Sequence, residues 1–279
     1  MYHWSRPKEN NGDKTMPAKK TVKIFNLQGK PIGKATLPDV FATPLRPDVI
    51  KRAVLAIQSS RLQPQGRNPM AGKRTSAESR GTGMGIARVP RVKGGGGRAA
   101  FAPSTVGGRQ PHPPRAEKKI VKRIPKKEAR LALLSAIAAT ASKDIIASRG
   151  HRIEDVPEIP LIVTDSIEEL MKTSELEAAL TNLGVLSDLY RVKDSRKIRA
   201  GKGKRRGRKM KQAIGPLIVV AENKGIFDAT RNLPGVDVAM INNLNAEMLA
   251  PGTHPGRLTL WTNGAIEQLD KLYGGGKEE

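Results

Sequence analysis

Between Arg61 and Lys119 the chain carries Arg61, Arg67, Lys73, Arg74, Arg80, Arg88, Arg91, Lys93, Arg98, Arg109 and Arg115, opposed only by Glu78 and Glu117. A guanidinium presents a planar fork that binds a phosphate through two parallel hydrogen bonds and can stack on an exposed base. The glycines among these cations let a backbone approach closely. With His112, these residues form a first candidate set whose chemistry is phosphate recognition rather than bond making. A solvated basic insert would share the charge. It would not need Ile86, Val89, Val92 and Phe101 among the cations, nor an amphipathic helix anchoring each end. A second candidate set, Lys202, Lys204, Arg205, Arg206, Arg208 and Lys209, lies in GKGKRRGRK from Gly201 to Lys209. For this stretch, set within the basic segment Arg191 to Lys211, an ordinary charged surface loop stands as an equal reading.

Residues that could do catalysis are sparse. Gly81-Thr-Gly-Met-Gly85 has the glycines of a phosphate-cradling loop. It lacks the G-x-G-x-x-G spacing, and Pro90 and the run Gly94 to Gly97 follow it where a helix should. Neither Gly72-Lys73 nor GKGKRRGRK has the spacing of a nucleotide-binding P-loop. The histidines, His3, His112, His151 and His254, are scattered, three of them beside Pro or Gly, and read as surface or RNA-facing. With no cysteine, no H-x-x-x-H pair and no G-x-S-x-G elbow, no metal, no cofactor and no enzymatic activity are expected.

Charge sets the class of partner. Fifty Lys and Arg against 26 Asp and Glu give a formal +24 and a pI near 10.5. Such an excess repels itself and calls for a polyanion, and nucleic acid rewards each cation by releasing counterions. No run approaches eighteen apolar residues, so no transmembrane helix and no membrane partner are expected. Residues 1–20 lack the apolar stretch of a secretory signal. Aromatic residues make up only 3%, which favours recognition of folded RNA through backbone and shape over base stacking on aromatic platforms.

The elements that must hold these residues follow from hydrophobic period. Residues 1–20 read as a disordered tail, with Met16 before Pro17 a candidate start. Val22, Ile24 and Leu27 mark a short strand, Gly29-Lys30-Pro31 a turn, and Ile32 to Leu37 a second strand. Pro47 suits a first helical position, with Ile50, Ala53, Val54 and Ile57 on one face. Residues 61–119 show no period and are broken by glycine and proline, so they read as one long extended loop. From Lys126 a helix presents Leu131, Leu134, Ala138 and Ala141, widened by Leu133 and Ile137. Four continuous apolar runs, Pro160 to Thr164, Leu217 to Ala221, Val236 to Ile241 and Leu258 to Trp261, read as strands of a parallel sheet covered on both faces. Glu168 to Leu183 is mostly helical in this reading. The expected organisation is a tail over 1–20, one α/β domain over 21–60 and 120–272, the loop over 61–119, and a flexible tail over 273–279.

Several motifs resemble the large-subunit ribosomal protein L-four family, in its archaeal and eukaryotic branch. They are Leu62-Gln-Pro-Gln-Gly66, Ala71-Gly-Lys-Arg74, Gly81-Thr-Gly-Met-Gly85 and Ala87-Arg-Val-Pro-Arg91, followed by His112-Pro-Pro114, Lys127 to Ala132, Ser135 to Thr140 and Arg149-Gly-His151. Ala200-Gly-Lys-Gly203, Arg231-Asn-Leu233, Leu249-Ala-Pro-Gly252 and Pro255-Gly-Arg-Leu258 continue it. The resemblance runs from about Thr21 to Leu272; the run Gly94 to Gly97 departs from the pattern. It implies a three-layer α/β domain with a mostly parallel sheet and a long loop running inward through rRNA. Gln63 to Arg98 would lie deepest, with Arg67, Arg74, Arg80, Arg88, Arg91 and Arg98 on phosphates or facing the nascent-peptide exit tunnel. It further implies a cytoplasmic, ribosome-bound structural protein acting early in subunit assembly. Its partners would be large-subunit rRNA, neighbouring ribosomal proteins and the nascent peptide. A free nucleic-acid-binding protein and an RNA-modifying enzyme with a basic arm are the alternatives.

Overall fold

A computed structural model of the chain describes residues 21–94 and 96–273. The expected tails over 1–20 and 274–279, with Met16 and His3, lie outside these residues. The described chain divides into two units, 58–122 and the remainder. Among the described residues no single helix is long and apolar enough to cross a membrane.

The larger unit contains strands β1 (Thr21–Phe25), β2 (Pro31–Thr36), β3 (Leu161–Val163), β4 (Lys197–Ile198), β5 (Met210–Lys211), β6 (Leu217–Val220), β7 (Asp237–Met240) and β8 (Thr259–Thr262). Its helices are α1 (Pro47–Ser60), whose last turn passes into the second unit, α2 (Lys126–Ala139), α3 (Lys143–Arg149), α4 (Thr173–Asn182), α5 (Leu186–Asp194), α6 (Ile226–Thr230), α7 (Ala246–Leu249) and α8 (Asn263–Tyr273). Tyr273, the first residue of the expected C-terminal tail, thus closes α8.

Six strands form one sheet in the order β2-β1-β3-β8-β6-β7, parallel throughout except for the β1–β2 hairpin at one edge. β3, β6 and β8 are buried at every residue, which explains their continuous apolar sequences: each face of a parallel strand meets a helix layer. Side chains alternate between the layers. Ile162, Leu217, Val219 and Trp261 pack with Ile50, Val54, Ala136 and Leu269 of α1, α2 and α8. Leu161, Val163, Ile218, Val220 and Leu260 face the other way, onto Leu176, Leu180, Leu189 and Ile226 of α4 to α6. Each such residue contributes about 1.5–3 kcal/mol relative to exposure, and the two clusters make this a three-layer α/β fold.

Local chemistry fixes the edges. Gly29 turns β1 into β2 at φ 76°, and a Cβ there would lie 2.4 Å from the Asn182 carbonyl oxygen. Only glycine permits both that angle and that approach. β2 is almost wholly exposed, and Pro31 and Lys34 blunt it against pairing with another chain.

Two helical stretches differ from the expectation. On α2 the fully buried residues are Ala132, Ser135, Ala136, Ile137, Ala138 and Ala139, while Leu131, Leu133 and Leu134 are only partly buried around them. Small residues let the helix approach its neighbours, and the leucines fill the rim. Ser135 is drawn in by hydrogen bonds: its hydroxyl accepts from the Arg46 N–H at 2.7 Å and donates to the Pro44 carbonyl at 3.0 Å. The stretch Glu168 to Leu183 is broken rather than mostly helical. A 3-10 turn over Asp165–Glu169 leads through extended Leu170 into α4. Buried Glu168 holds that break, because its carboxylate accepts from the Ala221 N–H and the Thr262 hydroxyl, both at 2.8 Å.

Candidate nucleic-acid interface

The 58–122 unit is an arm of two limbs lying side by side. Near its base the Lys122 N–H donates to the Ser59 hydroxyl at 2.9 Å. Further out the Arg67 N–H donates to the Pro114 carbonyl at 3.0 Å, and its guanidinium to the Gln110 side chain at 3.1 Å. The limbs then close to backbone contact: at Gly72, where φ is 75°, a Cβ would fall 2.5 Å from the Gly108 carbonyl. Beyond this crossing, isolated bridges join Glu78 to Arg91 and Arg91 to Ala99. The glycine triplet Gly81, Gly83 and Gly85 sits at the outer turn with positive φ and open space around each Cα. The glycines therefore serve several purposes: close limb packing at Gly72, a tight fold of Gly108 onto Ala102 and Thr105 of its own limb, and tight turns at the tip.

The arm's candidate residues fall into two groups. Arg74, Arg80, Arg88 and Arg98 are exposed, and their side chains have no partner among the described residues. Besides Arg67, three others are engaged within the arm. Arg91 donates from Nη1 to the Gly97 carbonyl at 2.7 Å, with its Nε buried and unpartnered. Lys93 pairs with Glu78 at 2.7 Å, and its hydrogen bond and charge hold the Glu78 carboxyl below the usual range. The Arg109 guanidinium lies 5.8 Å from the centre of the Phe101 ring, and Phe101 itself holds φ 66°. Arg61, Lys73, His112 and Arg115 are exposed.

The second candidate set sits on a hairpin. β4 and β5 pair antiparallel, and the Arg199 N–H continues the ladder to the Lys209 carbonyl at 2.8 Å. Between them Lys202–Arg205 make a single 3-10 turn. Lys202, Lys204, Arg205, Arg206, Arg208 and Lys209 all project into solvent. Arg199 folds back instead, its Nε donating to the Arg208 carbonyl at 3.1 Å. The start of this basic segment is helical: Arg191 and Lys193 belong to α5.

Charge follows the same division. Residues 58–122 hold 14 Lys and Arg against Glu78 and Glu117, a net +12. Residues 191–211 hold 12 against Asp194, a net +11, so the other 193 residues carry only +1 of the +24. The polyanion-seeking character thus belongs to the two excursions and not to the sheet domain.

The family model for the ribosomal protein L4/L1 family matches residues 35–272. The chain belongs to that family. It is 51% identical over 252 residues to the large ribosomal subunit protein uL4 of Methanococcus vannielii, covering 90% of this chain and 99% of that protein. The namesake proteins of Methanosphaera stadtmanae and Methanopyrus kandleri are each 49% identical, covering 90% of this chain and 97% and 98% of those proteins. The family is one of structural, non-enzymatic ribosomal proteins, as the sequence reading expected.

Within this ribosomal L4/L1 chain the crevice beyond the strand C-termini, where open α/β sheets commonly take ligands, is occupied by the protein itself. Glu168 bridges β6 and β8 there, and Asp165 accepts from the Gly264 N–H at 2.8 Å. Among the described residues no three His, Asp or Glu side chains cluster in a way that could hold a metal ion.

Sequence reasoning missed a buried ionic network. His151, read as surface or RNA-facing, is buried, and its Nδ1 lies 3.0 Å from Asp188 Oδ2. Asp188 also accepts from Arg191 Nε at 2.7 Å and from the Arg152 N–H at 3.0 Å. Burial pushes the Asp188 carboxyl up, but the hydrogen bonds from His151 and Arg191 outweigh it and hold it low. Burial lowers the His151 pKa against the opposing pull of Asp188. Arg257 is buried as well. It donates to the carbonyls of Gly215 at 2.8 Å and Met248 at 3.1 Å and pairs with Asp237 at 2.5 Å. The motifs Arg149-Gly-His151 and Pro255-Gly-Arg-Leu258 therefore carry internal ties. The one signal for this was a lone cation directly before an apolar strand.

Proposed function

We propose that this chain is a structural component of the large ribosomal subunit in the cytoplasm, and that its arm and hairpin bind rRNA. The observation that carries the reading is the confinement of +23 of the +24 charge to two excursions from a nearly neutral domain, in a family of ribosomal proteins. Phosphate contacts would come from Arg74, Arg80, Arg88 and Arg98 on the arm and from the six hairpin cations. Arg61, Arg67, Lys73, Arg109, His112 and Arg115 would line the arm's flanks, and Arg91 and Lys93 would hold its tip in shape. In this reading the arm over 61–119 threads the rRNA early in subunit assembly and its tip reaches the wall of the nascent-peptide tunnel, beside neighbouring ribosomal proteins. A packed, glycine-crossed pair of limbs with exposed cations along its length in sequence supports that role.

The test is sedimentation of a gently lysed, magnesium-containing extract through a sucrose gradient after a high-salt wash. The expected result is retention with large subunits and polysomes. Recovery as free protein near the top would overturn the reading in favour of a peripheral RNA binder.

A further inference from the structure

The sheet domain has one cleft whose chemistry the foregoing does not use. It has a volume of about 630 Å³ and opens between the C-terminal end of α3, the segment before β6 and the segment before β8. That volume lies within the range of small-molecule sites. Leu45, Ile145, Ile214 and Pro255 give its lining an apolar part, and Arg149, Gln212 and His254 a polar one.

Three features mark the polar side as incomplete. Arg149 donates to the carbonyls of Pro251, at 2.9 Å, and His254, but has no carboxylate partner among the described residues. Burial, with the guanidiniums of Arg257 and Arg191 nearby, brings its pKa down to about 10. The side chains of Gln212 and His254 are exposed and have no hydrogen-bond partner among the described residues. No Asp or Glu among the described residues lines the cleft, and Asp188, which contacts its lining residues His151 and Arg191, is already committed to them. An anion entering here would meet a fixed, partly desolvated cation in a lining that also offers the unused donors of Gln212 and His254, where charge-assisted hydrogen bonds are strongest.

We propose that this cleft binds one nucleotide of an RNA strand, its phosphate on Arg149, Gln212 and His254 and its base against the wall of Leu45, Ile145, Ile214 and Pro255. A bare phosphate would leave that wall unused, and an uncharged apolar ligand would leave Arg149 unanswered. The inference rests on the RNA-binding reading of the chain but places a contact outside both basic excursions.

The test uses the full chain carrying Arg74→Ala, Arg80→Ala, Arg88→Ala and Arg98→Ala, so that the arm competes less for ligand. Inorganic phosphate, UMP and a five-nucleotide oligouridylate are titrated while the side-chain resonances of Arg149, Gln212 and His254 are followed by NMR. The expected order of affinity is oligouridylate over UMP over phosphate, with all three resonances shifting. Adding Gln212→Ala and His254→Ala should weaken UMP binding at least fivefold; both residues are exposed, so the fold does not depend on them. Unshifted resonances, or UMP binding unchanged in that variant, would overturn the proposal. Phosphate binding as tightly as oligouridylate would overturn the RNA assignment in favour of a free anion. If the chain failed to sediment with large subunits while the cleft still bound oligouridylate, the ribosomal reading alone would fall.

Discussion

Replacing Arg74, Arg80, Arg88 and Arg98 together with alanine tests whether the partnerless cations of the arm are its phosphate contacts. None of the four gives up a side-chain partner within the described protein, so the arm should keep its shape while losing four phosphate contacts. Each contact contributes about 0.7–0.9 to the slope of log K against log salt concentration, so the slope should fall by roughly 3. Between 50 and 200 mM salt that difference amounts to about 50–150-fold less loss of affinity than in the unaltered chain. Lys93→Ala is the control: its ammonium is paired with Glu78 at 2.7 Å, and replacing it should change the slope by well under one. The assay is filter binding to large-subunit rRNA across a salt series. An unchanged slope in the quadruple variant, or a Lys93→Ala slope falling as far as a quarter of the quadruple's, would refute the division into free and internally engaged cations.

Arg257→Met should destabilise the sheet domain by about 2–4 kcal/mol, because it strands the carbonyls of Gly215 and Met248 while Asp237, largely exposed, returns to water; urea unfolding showing under 1 kcal/mol would contradict the staple. His151 has a folded pKa below its ordinary 6.5, so the native state binds fewer protons than the unfolded chain and stability falls as pH drops below that value. Asp188, also depressed, adds a loss at still lower pH. His151→Gln should therefore flatten the decline in urea midpoint between pH 7 and pH 5, and an equally steep decline in the variant would rule His151 out as its source. Gly72→Ala places a Cβ 2.5 Å from the Gly108 backbone at φ 75° and should open the arm's limbs. Amide exchange at Arg67 should rise at least tenfold with the global urea midpoint unmoved, and a midpoint that fell with it would show the arm to be no separate unit.

The parallel strands were legible because burial on both faces leaves a signature that needs no partner to read: LIV and LIVV are apolar at every position, and TLWT sets its two large apolar residues between threonines. Their order was not. β8, last in the chain, lies between β3 and β6, and no local sequence feature encodes that insertion. The buried face of α2 was misplaced because hydrophobicity ranks leucine above alanine, whereas close helix packing selects the alanines and Ser135 for size. The helix expected through Glu168 failed for a related reason: a carboxylate with good helix propensity was recruited by backbone donors more than fifty residues away. At the candidate interface the cation positions could be read directly. Which cations stay free could not, since Glu78 answers Lys93 and Phe101 answers Arg109 only once the limbs have folded.

The charge distribution changes what the +24 implies for stability. Read over the whole chain, it predicts a domain that repels itself and needs a polyanion to stay compact. Partitioned by the fold, it leaves the 167 described residues outside the two excursions at −1 around two continuous apolar clusters, and long-range repulsion across that body is slight. The sheet domain can thus hold its shape without RNA, while the arm and hairpin concentrate their repulsion on surfaces that RNA would cover. The family motifs split along the same line. Ala71-Gly-Lys-Arg74 and Ala200-Gly-Lys-Gly203 lie on the charged excursions, whereas Arg149-Gly-His151 and Pro255-Gly-Arg-Leu258 staple the neutral body from within. A basic residue in this chain acquires its meaning from where in the fold it lies, and its carboxylate neighbours are the evidence: Asp188 and Asp237 answer arginines in the core, while among the described residues the exposed arginines Arg74, Arg80, Arg88 and Arg98 of the arm have no acid to meet.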